Sequence, residues 1–140
     1  MNLNDLAKYF NSLKKEIPKA ADAYKREIAY SVFELLAFRT PVDEGVAVSN
    51  WKVTSKDTFK TQLPAYMPGS RGDTRSINVD FAIGLAREKL TRPSVGKHVY
   101  IINNAEHIVR LNEGWSAQAP SNFIESSIIA GLDQNLKFKV

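Results

Sequence analysis

Apolar residues near the start of the chain recur at intervals of three or four, which is the spacing of one face of an α-helix. They are Leu3, Leu6, Phe10, Leu13, Ile17, Ala20 or Ala21, Tyr24, Ile28, Val32 and Leu35. The pattern predicts a helix over residues 3–39, capped by Asn2 or Asn4 and ended before Pro41. Because Pro18 has no N–H to donate, we expect either a kink there or a short helix followed by a longer one. The stripe suits packing on a sheet and contact with a helix of another subunit equally well.

Two segments have the composition of β-strands. Residues 49–56 alternate in part, with valine and tryptophan among serine, asparagine, lysine and threonine. Residues 99–102 are β-branched or aromatic throughout, so we expect a central strand that is covered on both faces and ends at Asn103-Asn104. Between these strands, residues 57–73 are punctuated by proline and glycine and are predicted to form a loop. Loops of this length in compact domains are usually functional or mobile.

Further helices are predicted in the second half of the chain. The first covers residues 74–90 and begins with a threonine cap. Its expected buried face consists of Val79, Ala82, Ile83, Ala86 and Leu90. Residues 105–113 can form one or two helical turns. The last helix begins at Asn122, with Glu125 three residues on as in a capping box. Residues 136–140 alternate apolar and basic side chains, which is typical of a short edge strand.

This succession of elements predicts an α+β fold. In it, a long N-terminal helix and two further helices pack on a small, mostly antiparallel β-sheet, with a long loop around residues 57–73. The length of 140 residues is that of one ordinary domain. We therefore expect residues 1–140 to form a single domain.

Composition narrows the function classes only slightly. The absence of cysteine fits a reducing compartment such as the cytoplasm. No segment approaches the roughly 20 apolar residues that span a bilayer, and the start of the chain lacks the features of a signal peptide. We therefore expect a soluble protein without a membrane partner. The formal net charge of +4 permits contact with DNA, although a solvated basic surface is the plainer interpretation.

Patterns that carry catalysis or bind cofactors are sparse. His98 and His107 are nine residues apart without an acidic cluster beside them, so we expect structural or solvent-exposed histidines and no metal site. Asp43 and Glu44 are adjacent, which points them to opposite sides of an extended backbone. Phosphate-binding glycine loops and a Gly-x-Ser-x-Gly elbow are missing from the sequence. The sequence therefore predicts no enzyme activity and no cofactor.

Two segments carry longer, motif-like patterns. The first is Thr40-Pro41-Val42-Asp43-Glu44-Gly45 followed by Ser49-Asn50-Trp51. The second is Val99-Tyr100-Ile101-Ile102-Asn103-Asn104, then Ile108, Leu111-Asn112-Glu113-Gly114-Trp115-Ser116 and Gln118-Ala119-Pro120. In order and spacing they resemble the patterns T-P-V-D-T-G-x-x-x-x-x-W and N-N, Y-I-x-x-L-E-x-G-x-S-x-Q-A-P of phage minor tail or neck proteins, also called tail-completion proteins. The sequence departs from those patterns at Glu44, His107 and Asn112.

The resemblance implies a virion structural protein at the head–tail junction, present in the host cytoplasm during assembly. Such a protein joins the head connector to the tail as a ring of identical copies, for example a hexamer, beside other neck or tail proteins. Six copies at +4 each would carry +24, which suits DNA passing through a channel without sequence specificity. The alternative from another class is a small basic DNA-binding accessory protein.

The residues of interest fall into two sets. The motif residues are Pro41, Asp43, Gly45, Trp51, Asn103, Asn104, Gly114, Trp115 and Pro120. Both tryptophans suit a core or an interface, and the motif residues as a whole either hold the fold or contribute to contacts between subunits. The candidate subunit interface consists of Tyr66, Met67, Arg71 and Phe138.

Overall fold

A computed structural model of the chain describes residues 2–56 and 60–136. The elements in chain order are α1 (Leu3–Arg39), α2 (Val46–Ser49), β1 (Trp51–Thr54), α3 (Arg75–Leu90), β2 (Tyr100–Asn103), α4 (Ile108–Asn112) and α5 (Phe123–Leu136). The described residues thus combine five helices with one small antiparallel sheet, which is the predicted α+β class.

Helix α1 begins and ends as its sequence predicts. The Asp5 N–H donates to the Asn2 side chain at 2.9 Å, and the Asn2 N–H donates to the Asp5 carboxylate at 3.3 Å, which forms a capping box. Pro18 lies inside this single helix, so the alternative of two separate helices is wrong. Proline is tolerated because its surroundings are exposed, and water can bind the carbonyl that loses its N–H partner.

The sheet is smaller than the sequence pattern suggests. Strands β1 and β2 pair antiparallel, with Trp51 opposite Asn103 and Val53 opposite Ile101. The predicted first strand began too early, because Ser49 lies in α2 and its side chain is used to hold the loop that follows β1. The prediction that the second strand is covered on both faces is also wrong. Among the described residues β2 pairs with β1 alone, and its four side chains are half-buried.

The core lies between the second half of α1, helix α3 and strand β1. Phe33 is completely buried, and burial of such a side chain contributes roughly 1.5–3 kcal/mol. The predicted inner face of α3 is confirmed. Its buried apolar members are Val79, Ala82, Ile83, Ala86 and Leu90. Thr74 precedes α3 as expected, but its side chain makes no capping hydrogen bond to the helix.

Helix α5 packs antiparallel against α1. The Tyr24 hydroxyl donates to the carbonyl of Asn135, and Gly131 lies directly against Val32. The start of α5 differs from the prediction, because Glu125 pairs with the side chain of Asn112, which also accepts the Ile124 N–H at 2.9 Å. The predicted strand over residues 136–140 begins at Leu136, which lies in α5 instead, and the rest of it, including Phe138, lies outside the described residues.

Candidate subunit interface

The two motif segments meet at the corner that follows α1, residues 40–45. The Val42 N–H donates to Gln118 Oε1, and Gln118 Nε2 donates to the Val42 carbonyl, both at 2.9 Å. The Asn103 side chain donates to the carbonyl of Ala47 at 2.8 Å. Each amide therefore bonds backbone of the other segment, and the two segments form one structural unit although they are far apart in sequence.

Trp51 is an anchor of the core. Its Nε1–H donates to Thr40 Oγ1 at 2.7 Å, and the Thr40 hydroxyl donates in turn to the carbonyl of Leu36 at 2.5 Å. Thr40 and Pro41 are buried, so these bonds satisfy polar groups that would otherwise cost free energy. Pro41 and Trp51 therefore hold the fold at the end of α1.

Gly45 and Asp43 set the shape of the corner. Gly45 has φ of 93°, and a Cβ at this position would collide with the side-chain amide of Asn78. The Asp43 carboxylate accepts the N–H of Arg71 at 2.6 Å, and the Asp43 carbonyl accepts the N–H of Gly72 at 3.0 Å. Asp43 therefore ties the corner to the loop, and Arg71 is left exposed.

The loop of residues 60–74 is held by side chains that the sequence interpretation missed. Asn50 accepts the N–H and donates to the carbonyl of Leu63, both at 2.8 Å. Asn78 does the same for Met67, at 2.8 and 2.9 Å. The overlooked signal is the position of Asn78, four residues before Ala82 on the predicted apolar face of α3. A polar residue on such a face needs polar partners, and the loop backbone provides them.

An apolar ridge on α3 is left uncovered next to this loop. Ile77, Phe81 and Leu85 lie four residues apart on the face of α3 that points away from the core, and all three are exposed. Tyr66 stacks on Phe81 with a centroid distance of 5.7 Å. We call Ile77, Phe81, Leu85 and the exposed Met67 the α3 ridge. The structure thus places the interface candidates Tyr66 and Met67 beside an apolar surface.

Lys52 packs against the ring of Tyr66. Its ammonium lies 4.3 Å from the centre of the Tyr66 ring and donates to the Tyr66 hydroxyl. Burial lowers the pKa of the Lys52 ammonium and raises the pKa of the Tyr66 phenol. Lys52 therefore orients the ring that supports Phe81.

The end of the second motif segment faces outward. Gly114 has φ of 91° and follows α4, as a helix stop does. Trp115 is 70% exposed, with the Arg110 guanidinium 5.4 Å from its ring, so it does not anchor the core as Trp51 does. Pro120 is exposed and Asn104 is half-buried.

A shallow groove beside the corner is lined by several charged side chains and a histidine. Asp43, Glu44, Glu106, His107 and Arg110 line it. Within residues 2–56 and 60–136, no group of three or more histidine and carboxylate side chains could hold a metal ion. In the same part of the chain, no helix has both the length and the hydropathy to cross a membrane.

No protein-family model, curated protein sequence or solved structure matches this chain. The likeness to tail-completion proteins therefore rests on the two motif segments alone.

Proposed function

We propose that this chain is a structural subunit of a tailed-phage particle, a tail-completion or neck protein that joins the head connector to the tail as a ring of identical copies. The observation that carries the proposal is the meeting of the two motif segments at the corner. Gln118 bonds Val42 through both backbone groups, and Trp51 pairs with Asn103 across the sheet. The residues that resemble the family thus form one folded unit.

Uncovered apolar surface supports an assembling protein. A ring of identical copies needs two different patches on each copy, because each contact joins one patch to another on the neighbour. The α3 ridge is one such patch. Ile128, Ile129 and Leu132 on α5 form a second, and all three are exposed. We propose that these two patches meet between neighbouring copies of the ring.

The basic character of the chain supports the same proposal without requiring specific DNA recognition. A charge of +4 per copy gives a ring of several copies a net positive charge, which is compatible with DNA in its channel. A DNA-binding accessory protein would instead bind free duplex as a single copy, with affinity that falls steeply as salt rises. Titration of labelled duplex into the protein at low and high salt distinguishes the two.

The proposal is tested in particles produced from the genome that encodes this chain. A stop codon in its gene should yield full heads and separate tails, and a plasmid copy of the wild-type chain should restore joined particles. Mass spectrometry should find the chain in purified particles at a fixed copy number. Absence of the chain from intact particles, or normal joining without it, would contradict the proposal.

The α3 ridge provides a sharper version of that experiment. Phe81→Glu places a charge on an exposed surface, so the chain should fold but fail to restore joined particles. Asp80→Asn on the same helix, also exposed, is the matched control and should restore joining. Equal complementation by both variants would show that the ridge does not contact a neighbour.

A further inference from the structure

The first half of α1 carries an apolar stripe that the described part of the chain leaves uncovered. We define the outer half of α1 as residues 3–21 and the inner half as residues 22–39. The helix stripe consists of Leu3, Leu6, Phe10, Leu13 and Ile17. Leu3, Phe10 and Ile17 are 83%, 58% and 61% exposed, whereas Leu6 is 37% exposed and Leu13 is half-buried. A stripe of this size on a solvent-exposed helix indicates a surface that another molecule covers.

The stripe has the strict spacing of a coiled-coil seam. Its residues are separated by three, four, three and four positions, and the pattern continues through Ala20 to Tyr24. Seven-residue repeats of this kind place apolar side chains along a seam that fits a second helix running alongside. A helix that lies on a sheet follows a wider face with less regular spacing. The whole stripe to Leu35 fits a sheet or a helix equally well, but the strict spacing from Leu3 to Tyr24 favours a helix as the occupant of the outer half.

The stripe continues a contact that already exists within the chain. Tyr24 lies seven residues after Ile17, on the same line of the helix to within about 20°. Its hydroxyl donates to the carbonyl of Asn135, so α5 covers the stripe at this point. The described part of α5 reaches Leu136, and the stripe extends about 21 Å along α1 from Ile17 to Leu3. A helix that covers this part of the stripe would have the same direction along α1 as α5 has.

We infer that the outer half of α1 pairs antiparallel with the outer half of α1 from a second copy of this chain. In this register Phe10 of one copy lies opposite Leu13 of the other, and Leu6 lies opposite Ile17. Leu3 then lies opposite Ala20, so α1 of the second copy begins near the described part of α5 and runs in the same direction.

The flanking residues are compatible with this register. Lys14 of one copy lies next to Ala7 of the other, and Glu16 lies next to Tyr9. Lys8, Lys15 and Lys19 lie on the opposite side of the helix, so the seam brings no two lysines together. Each outer half brings five apolar side chains to the seam, and three of them are more than half exposed before pairing. An antiparallel pair is a two-fold contact, distinct from the head-to-tail contacts of a ring, so the inference does not rest on the proposed function.

The test is the mass of the full chain in solution. At about 100 µM, sedimentation equilibrium should show a dimer of the wild type, and Phe10→Glu should raise its dissociation constant at least tenfold. Phe38→Glu is the matched control, because Phe38 is exposed to a similar extent on the inner half of the same helix, 51% against 58% for Phe10, and it should leave the dimer unchanged. A wild-type monomer at this concentration, or a dimer that survives Phe10→Glu, overturns the inference. A larger oligomer whose mass is unaffected by Phe10→Glu also overturns it but leaves the proposed function standing.

Cysteine cross-linking tests the direction of the helices. The natural chain has no cysteine, so Ala7→Cys with Lys14→Cys introduces the only two thiols. They are about 10 Å apart along one helix, too far for a bond within the copy, but adjacent across the antiparallel seam. Mild oxidation should therefore yield a covalent dimer. In Lys8→Cys with Lys15→Cys, the two thiols have the same separation along the helix but lie on the side opposite the seam. This variant should stay monomeric under denaturing electrophoresis. Equal cross-linking of the two variants contradicts the antiparallel seam.

Discussion

The two halves of α1 have the same apolar periodicity but different surroundings. In the inner half, Phe33, Leu36 and Ala37 are almost completely buried against the rest of the protein. In the outer half, Leu3, Phe10 and Ile17 are mostly exposed. The repeat of apolar residues therefore specifies a helix and a face to be covered, but the elements that cover that face are set elsewhere in the chain. We ascribe the inner half to contacts within one copy and the outer half to contacts between copies.

At the boundary between the two halves of α1, charged side chains make hydrogen bonds to the end of α3 and the segment that follows it. Asp22 is the first buried residue of α1, and it accepts from the Ser94 hydroxyl at 2.7 Å and from the Ser94 N–H at 3.0 Å. Lys25 donates to the carbonyl of Lys97 at 2.7 Å, and Arg26 donates to that of Leu90 at 3.0 Å. The segment that follows α3 thus clamps α1 at Asp22, and the helix leaves the body of the protein beyond this point.

The two halves should differ most in how much stability the protein loses when a phenylalanine is replaced by alanine. Phe33→Ala should lower the free energy of unfolding by about 3–5 kcal/mol, because it leaves a cavity in the core. Phe10→Ala should change it by less than about 0.5 kcal/mol when measured in dilute protein, since Phe10 lacks such packing within the chain. Urea unfolding of both variants checks the pair. Similar losses would mean that the outer half belongs to the core.

Glycine-to-alanine substitutions test how closely helices approach. Gly131→Ala should destabilise the protein by about 1–3 kcal/mol, because the new Cβ would lie 2.6 Å from Val32 Cγ2 and 2.9 Å from the Val32 backbone. Gly84→Ala in α3 should stabilise it by about 0.5–1 kcal/mol, since nothing lies within 4 Å and alanine is the better helix former. Thermal unfolding should show shifts of opposite sign. A gain in stability for Gly131→Ala would contradict the close packing of α5 on the inner half.

The smallest effect concerns the clamp at Asp22. Hydrogen bonds from Ser94, with smaller contributions from Lys25 and Arg26, lower the pKa of Asp22 below its ordinary value of 3.8. A lowered pKa in the folded state stabilises the protein above the ordinary pKa, and this contribution is lost as the pH falls below about 4. Thermal melts between about pH 7 and pH 3 should therefore show a steeper acid loss for the wild type than for Asp22→Asn. Parallel profiles would show that the clamp does not depend on the charge of Asp22.

The sequence predicted the helices better than it predicted how they are covered. Periodicity located α1, the buried face of α3 and the last helix, because an amphipathic helix carries its own pattern. The cap of α5 was assigned to Asn122, whereas Asn112 forms it from the preceding helix. Such a partnership between residues brought together by the fold leaves no local pattern in the sequence.

The candidate site was predicted in part for the same reason. The two motif segments were identified from the order of their residues, and the fold brings them together at Val42 and Gln118. The clamps of the loop by Asn50 and Asn78 were missed, because an isolated asparagine does not indicate which backbone it bonds. The sequence predicts the same role for both tryptophans, in a core or an interface, but Trp51 is buried and Trp115 is exposed. Tertiary packing alone distinguishes them.

Amide hydrogen exchange of α1 at two protein concentrations tests the central claim most directly. An outer half without a partner is a marginal helix and exchanges rapidly, whereas a paired one is protected. On raising the protein from about 1 µM to about 100 µM, we expect slower exchange across residues 3–21 and no change across residues 29–37. Exchange in the outer half that is independent of concentration, whether fast or slow, would contradict the assignment of this half to contacts between copies.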